Sequence, residues 1–286
     1  MDTKRLKTGI VLEGGGMRGL YTNGVLDKLM DEGIRADYVI GVSAGAGNGI
    51  SYVSGQRGRG GRVNLDYIGD PRYIGVRNLL RTRSVFGMEF IFNTIPHRLD
   101  PFDFDAFQAS PCEFVAGATD VLTGRPVYFG KEHLNRDTTV LRASASLPVF
   151  SPPVEYQGRL YLDGGTSDPI PVRKALEDGC TRLLVVLTRP RDYKKPPEKH
   201  RAIYARLFRK YPKMVSLMDN RHRIYNHTLA FIRKLEERGK AVVIAPSAPI
   251  GIGRFERDPQ KLSALYELGM RDAGDKLSAV RTLFCP

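Results

Sequence analysis

Two short stretches of the chain carry residue types suited to acyl-transfer chemistry. Gly41-Val-Ser-Ala-Gly45 is the only G-x-S-x-G of the sequence. A serine on a sharp strand-to-helix turn needs glycine two residues to either side, because a Cβ there would collide with the adjoining strand and helix. Ala46-Gly-Asn-Gly49 behind it is also small, which lets a helix pack close and aim its N-terminal amides at an oxyanion formed on Ser43. The second stretch is Leu162-Asp-Gly-Gly165. Asp163 ends a β-rich run, and a carboxylate emerging there within reach of Ser43 would accept its proton if burial raised its pKa. An ordinary Asp-Gly turn has the same appearance.

A third stretch, Val11-Leu-Glu-Gly-Gly-Gly-Met-Arg-Gly19, satisfies G-x-G-x-x-G at Gly14, Gly16 and Gly19 and sits between an apolar run and a helical pattern. A dinucleotide site would place an acid at the end of the next strand, about 20 residues on, to hold the ribose hydroxyls. Gly41-Val42-Ser43 stands there instead, while Asp31, Glu32 and Asp37 fall on the preceding helix end and its loop. A P-loop fails because Leu20-Tyr21, not Lys-Ser/Thr, follows Gly19. The remaining use for Gly14, Gly15 and Gly16 is a cluster of backbone amides aimed at a developing negative charge, where each donor is worth ~10²–10³ in turnover. A nucleotide-dependent enzyme using GGGMRG as a phosphate loop is the alternative.

The elements that must position these residues follow from the alternation of β-rich and helical patterns. Thr8–Leu12 precedes a helical Arg18–Glu32, Asp37–Val42 precedes Ala44–Ser54, Arg182–Leu187 precedes Ala202–Lys210, and Ala241–Ala245 precedes Pro259–Phe284. Such alternation predicts an α/β fold, a mainly parallel sheet with helices on both faces and ligands at the carboxyl ends of its strands. Cys112–Thr119 and Pro126–Phe129 predict a hairpin at the sheet's edge around a Thr-Gly turn, and Tyr156–Tyr161 a second, smaller one. Gly55–Asp105 and Arg189–Lys240 fit the alternation poorly and read as insertions over the strand ends.

With 286 residues, 42% of them apolar, the chain can bury a substantial core. We read it as one domain over 1–286, with about 251–286 a helical extension packed on it. The net charge of +13 implies attraction to polyanions, whether nucleic acid, an anionic membrane or phosphorylated substrates. Cys112, Cys180 and Cys285 lie far apart and outside any C-x-x-C, so neither a disulfide framework nor a zinc cluster is expected. The apolar run after the basic start breaks at Glu13, short of the roughly 7–15 residues of a signal core. No window approaches the roughly 18 apolar residues of a membrane span. A cytoplasmic protein, peripheral to membranes at most, is expected, and no acidic loop suits calcium.

Arg57-Gly-Arg-Gly-Gly-Arg62 reads as a flexible solvated loop, with an anion-attracting rim or an RNA tract as further readings. Asn78–Phe92 mixes bulky apolar residues with arginines, which suits a lipid surface, an acyl pocket or core packing alike. The pattern Arg221–Arg238 reads as an amphipathic helix packed on the domain. His200, His222 and His227 all follow Asp163, so chain order leaves a Ser-Asp-His triad open.

Taken in order, Gly14-Gly-Gly-Met-Arg-Gly19, Gly41-Val-Ser-Ala-Gly45 and Asp163-Gly-Gly165 resemble the three signatures of patatin-like phospholipases, and Ala143-Ser-Ala-Ser-Leu-Pro148 resembles that family too. The similarity covers residues 7 to about 250. It implies a three-layer α/β/α sandwich and a Ser-Asp dyad with no catalytic histidine. It also implies hydrolysis of lipid acyl esters in lipid catabolism without cofactor or metal. Carried over by position, Ser43 is the nucleophile, Asp163 its base and Gly14, Gly15 and Gly16 the oxyanion hole, while Arg18 and Gly19 shape the loop or meet a headgroup. The expected partners are a lipid or phospholipid and an anionic membrane surface, not nucleic acid. A basic binding module with a vestigial hydrolase site is the competing class.

Overall fold

The computed structural model describes residues 6–249 and 251–284. Among the described residues eight strands form one sheet: β1 (Thr8–Leu12), β2 (Tyr38–Val42), β3 (Glu113–Asp120), β4 (Pro126–Gly130), β5 (Val154–Tyr156), β6 (Arg159–Asp163), β7 (Arg182–Val186) and β8 (Ala241–Ile244). The α-helices of the first half are α1 (Gly19–Asp31), α2 (Ala44–Val53), α3 (Arg59–Leu65), α4 (Val76–Thr82), α5 (Phe104–Ala109) and α6 (Thr139–Ala145), and Phe90–Leu99 forms a π-helix between α4 and α5. Those of the second half are α7 (Val172–Glu177), α8 (Arg201–Leu207), α9 (Pro212–Glu237), α10 (Pro259–Asp275) and α11 (Leu277–Phe284).

β3, β2, β1, β7 and β8 run parallel in that order. Their side chains alternate between two cores: Ile10, Leu12, Val39, Leu184 and Val186 pack under α1, α2, α6 and α10, whereas Val11, Ile40, Leu183 and Val185 pack under α7 and α9. Burial on both faces is why β1, β2, β7 and β8 read as largely apolar runs. The result is the three-layer α/β/α arrangement that the alternation predicted. Extension α10 lies tight against α1, since a Cβ on Gly24 would stand 2.1 Å from Tyr266 O and one on Gly269 2.2 Å from Tyr21 O. Its start is fixed by Asp258, whose carboxylate accepts from the amides of Gln260 and Lys261.

β3 is the ruler that sets the site. β4 lies antiparallel along one of its edges, opposite Val115–Thr119. The other edge is shared: β2 runs parallel along it and ends with Val42 opposite Gly117, and β6 arrives antiparallel and ends with Asp163 opposite Ala118. The carboxyl ends of β2 and β6 therefore abut. This revises one expectation, because β3 is an interior strand and only its partner β4 is peripheral. The small hairpin forms as expected, with Gln157 and Gly158 at φ 50° and 72° making the turn between β5 and β6.

Arg57–Arg62 is not a solvated loop. Arg59 opens α3, the Arg57 guanidinium pairs with Asp31 at 3.0 Å, and Arg62 and the buried Arg59 pair with Asp100 at 2.8 and 3.5 Å. Cys112 and Cys180 are buried free thiols, and Cys285 lies outside the described residues. Among the described residues no helix is long and apolar enough to cross a membrane.

Candidate active site

Ser43 stands between β2 and α2 at φ 56°, ψ −129°, a conformation that costs on the order of 1–3 kcal/mol for a residue with a side chain. The glycines flanking it are required by space. A Cβ on Gly41 would lie 2.5 Å from Gly45 C, and one on Gly45 2.6 Å from Leu12 O. The Ser43 amide donates to Ser144 Oγ at 2.8 Å, and that hydroxyl donates on to Gly117 O at 2.6 Å. Ser144 thus clamps the turn to β3.

Asp163 is pinned on the same framework. Its amide donates to Ser146 O at 2.8 Å, and Thr119 Oγ1 donates to its carbonyl at 2.8 Å. The role of Ala143-Ser-Ala-Ser-Leu-Pro148 is therefore positional: Ser144 holds the serine turn and Ser146 the aspartate strand. A Cβ on Gly164 would sit 2.1 Å from Gly117 O, so the chain turns away from β6 there only with glycine. Asp163 Oδ1 accepts from the Gly165 amide at 2.8 Å, while Oδ2 is buried without a partner among the described residues. Burial raises its pKa above the ordinary carboxylate range; the Ser43 hydroxyl, Arg221 and Arg254 oppose that shift. No hydrogen bond joins Asp163 Oδ2 to the Ser43 hydroxyl among the described residues; catalytic hydrogen bonds often form fully only once substrate binds.

Gly14, Gly15 and Gly16 follow β1 beside this pair. A Cβ on Gly14 would meet Ser43 Cβ at 3.0 Å, one on Gly15 would meet Thr188 Oγ1 at 2.9 Å, and Gly16 has φ +58° with Arg254 O 2.7 Å from its ideal Cβ. Arg254 O accepts the Met17 amide at 3.1 Å, which braces the loop from outside. Beneath it the buried Glu13 accepts from the Thr188 amide at 2.6 Å and from Tyr225 Oη at 2.8 Å, and burial raises its pKa. Glu13 was visible in the sequence only as the residue that interrupts an apolar run.

Two cavities meet at Ser43, sharing Gly16, Ser43 and Leu147 in their walls. The first is apolar, about 130 Å³, and lined by residues including Phe86, Ile91, Phe92, Phe102 and Leu141; its volume is roughly ten times what one water needs. Asn78–Phe92 is thereby divided: Leu80 faces solvent at 81% exposure while Phe86, Met88, Ile91 and Phe92 line the cavity. The second cavity is polar and lies at the carboxyl ends of β1 and β7, where the chain's progress across the sheet reverses. Gly14, Gly15, Gly16, Arg18, Ser43 and Asp163 all line it, together with Arg189, Lys195, Arg221 and Arg254, which no local pattern singles out among the basic residues. Burial, aided by Arg189 and Arg254 and opposed by Glu13, lowers the Arg18 guanidinium to about 10. Gly19 lies elsewhere, against Ala44 and Asn48, and its carbonyl accepts from Asn48 Nδ2 at 2.8 Å. No histidine lines either cavity.

A family model described as patatin-like phospholipase matches residues 10–176, and one described as a domain of unknown function matches 211–284. The chain is 28% identical over 267 residues to the uncharacterized protein YjjU of Escherichia coli strain K12, spanning 91% of this chain and 74% of that protein. It is 30% identical over 198 residues to lysophospholipase NTE1 of Cryptococcus neoformans, spanning 65% of this chain but 12% of the fungal protein. An uncharacterized NTE family protein of Mycobacterium bovis is 28% identical over 173 residues, covering 58% of this chain and 44% of its own. Among solved structures, VipD from Legionella pneumophila superposes with a TM-score of 0.54 at 12% identity, covering 96% of this chain and 67% of its own. Human GIVD cytosolic phospholipase A2 gives 0.54 at 11% identity, with 99% and 60% covered, a likeness of fold alone.

Proposed function

The chain belongs to the patatin-like phospholipase family and is a lipid ester hydrolase in class; from that premise we propose that it cleaves fatty acyl esters through a Ser43-Asp163 dyad and an acyl-enzyme. One observation carries the reading: a strained serine, a buried aspartate with an unpartnered oxygen and a glycine amide loop converge where an apolar cavity opens. Asp163 takes the Ser43 proton as Oγ attacks the ester carbonyl, and the amides of Gly14–Gly16 hold the oxyanion. Collapse expels the alcohol with that proton, and water deprotonated by Asp163 then releases the fatty acid and restores Ser43. A triad is disfavoured because no histidine lines either cavity. The biological role that follows is breakdown of lipid esters, with membrane approach through the basic surface.

The acyl chain would lie in the apolar cavity. Each buried methylene is worth about 0.8 kcal/mol, close to fourfold. Across p-nitrophenyl acetate, butyrate, hexanoate and octanoate, kcat/KM is therefore expected to climb steeply, then level once the cavity is filled. A profile that falls from acetate onward would remove the cavity from the account.

A further inference from the structure

The polar cavity holds charge that acyl transfer does not use. Arg18, Arg189, Lys195, Arg221 and Arg254 line it against the carboxylates of Glu13 and Asp163. Glu198 adds a third carboxylate, 2.9 Å from Lys195 and 2.8 Å from Arg221. Arg221 is further committed by donating from Nε to Gly165 O at 2.9 Å. Five cations facing three carboxylates leave two positive charges unmatched. Among the described residues Arg18, Arg189 and Arg254 have no carboxylate at ion-pair distance, and Arg18, only 6% exposed, has a buried Nε with no hydrogen-bond partner. Buried, unpaired cations are unfavourable unless an anion completes the site.

We propose that this cavity binds a phosphate monoester dianion, and that the preferred substrates are glycerolipids with an uncapped phosphate headgroup, with Arg189 and Arg254 determining that specificity. The inference rests on the acyl-hydrolase reading above. Guanidinium forks match phosphate oxygens in bidentate geometry, and a dianion matches the excess of two. The ester carbonyl sits at Ser43, where the two cavities join, so the acyl chain and the phosphate diverge to opposite sides of it. A choline headgroup fits poorly, because a quaternary ammonium needs an open aromatic face. The Tyr193 ring is covered by Arg189 at 4.6 Å, and Tyr225 Oη is bonded to Glu13.

The test uses the full chain on 1-oleoyl lysophosphatidic acid, 1-oleoyl lysophosphatidylcholine and monoolein, each in the same uncharged detergent micelles. Wild type should favour the phosphate monoester over the choline ester by about tenfold or more in kcat/KM. The Arg189→Met/Arg254→Met variant should bring that ratio to within about threefold, mainly through KM for the phosphate monoester. Equal wild-type rates on the three lipids would overturn the inference while leaving acyl hydrolysis in place, a readout that needs no variant to fold. No hydrolysis of any of them, with no fluorophosphonate adduct on Ser43, would overturn both. Inorganic phosphate that inhibits wild type at micromolar concentration, without any headgroup preference, would make the cavity a site for free phosphate and overturn the substrate assignment.

Discussion

Ser43→Ala is expected to lower acyl-ester turnover by at least about 10⁴-fold, the scale on which loss of an activated nucleophile is felt. Alanine keeps the Cβ that abuts Gly14 and the amide that donates to Ser144 Oγ at 2.8 Å. The turn is therefore retained and only the hydroxyl is lost. Residual rate would come from water attacking an ester polarised by the glycine amides. Hydrolysis of p-nitrophenyl octanoate, beside a circular-dichroism melt to show the fold intact, reads the effect. A folded Ser43→Ala protein within about tenfold of wild type would mean that another group is the nucleophile.

Asp163→Asn should cost about 10³–10⁴-fold in kcat, because an amide cannot take the serine proton. Its Oδ1 can still accept from the Gly165 amide, as the aspartate does at 2.8 Å, so geometry survives while the base is lost. In wild type the rate should rise with pH through the raised value of Asp163, above the ordinary carboxylate range. Stability should move the other way. Burial makes the native state hold this proton more tightly than the unfolded chain, so the contribution of Asp163 is fully present below its unfolded value and is lost as pH rises through the raised native one. Above that raised native value wild type carries a buried charge that asparagine lacks. Asp163→Asn is thus expected to melt higher than wild type once pH exceeds it and to lose that advantage in acid. Undiminished turnover in the variant, or a melt below wild type across the whole range, would remove Asp163 from the base role assigned to it.

The glycine signatures were legible in the sequence because local geometry permits nothing else. Gly41, Gly45 and Gly164 each face backbone at 2.1–2.6 Å from an ideal Cβ, and such close approaches leave a fixed spelling. Although β3 read only as one arm of an edge hairpin, the other four parallel strands, β1, β2, β7 and β8, were legible for the same kind of reason: two buried faces require largely apolar runs. The junction of β2 with β6 was not. Local pattern predicts a strand's hairpin partner, but sharing of one β3 edge by two strands is decided by the whole topology. Arg57–Arg62 misled for a related reason, since its acids, Asp31 and Asp100, stand 26 and 38 residues away from Arg57 and Arg62. In a chain carrying 44 lysines and arginines, nothing local marks Arg189 or Arg254 as converging on Ser43.

Nucleophilic catalysis by Ser43 is tested most directly by peptide mapping after treatment with an alkyl fluorophosphonate, which phosphonylates an activated serine. One adduct is expected, on the peptide containing Ser43, absent from Ser43→Ala and strongly slowed in Asp163→Asn. An adduct on a different residue, or equal labelling of Ser43→Ala, would contradict it.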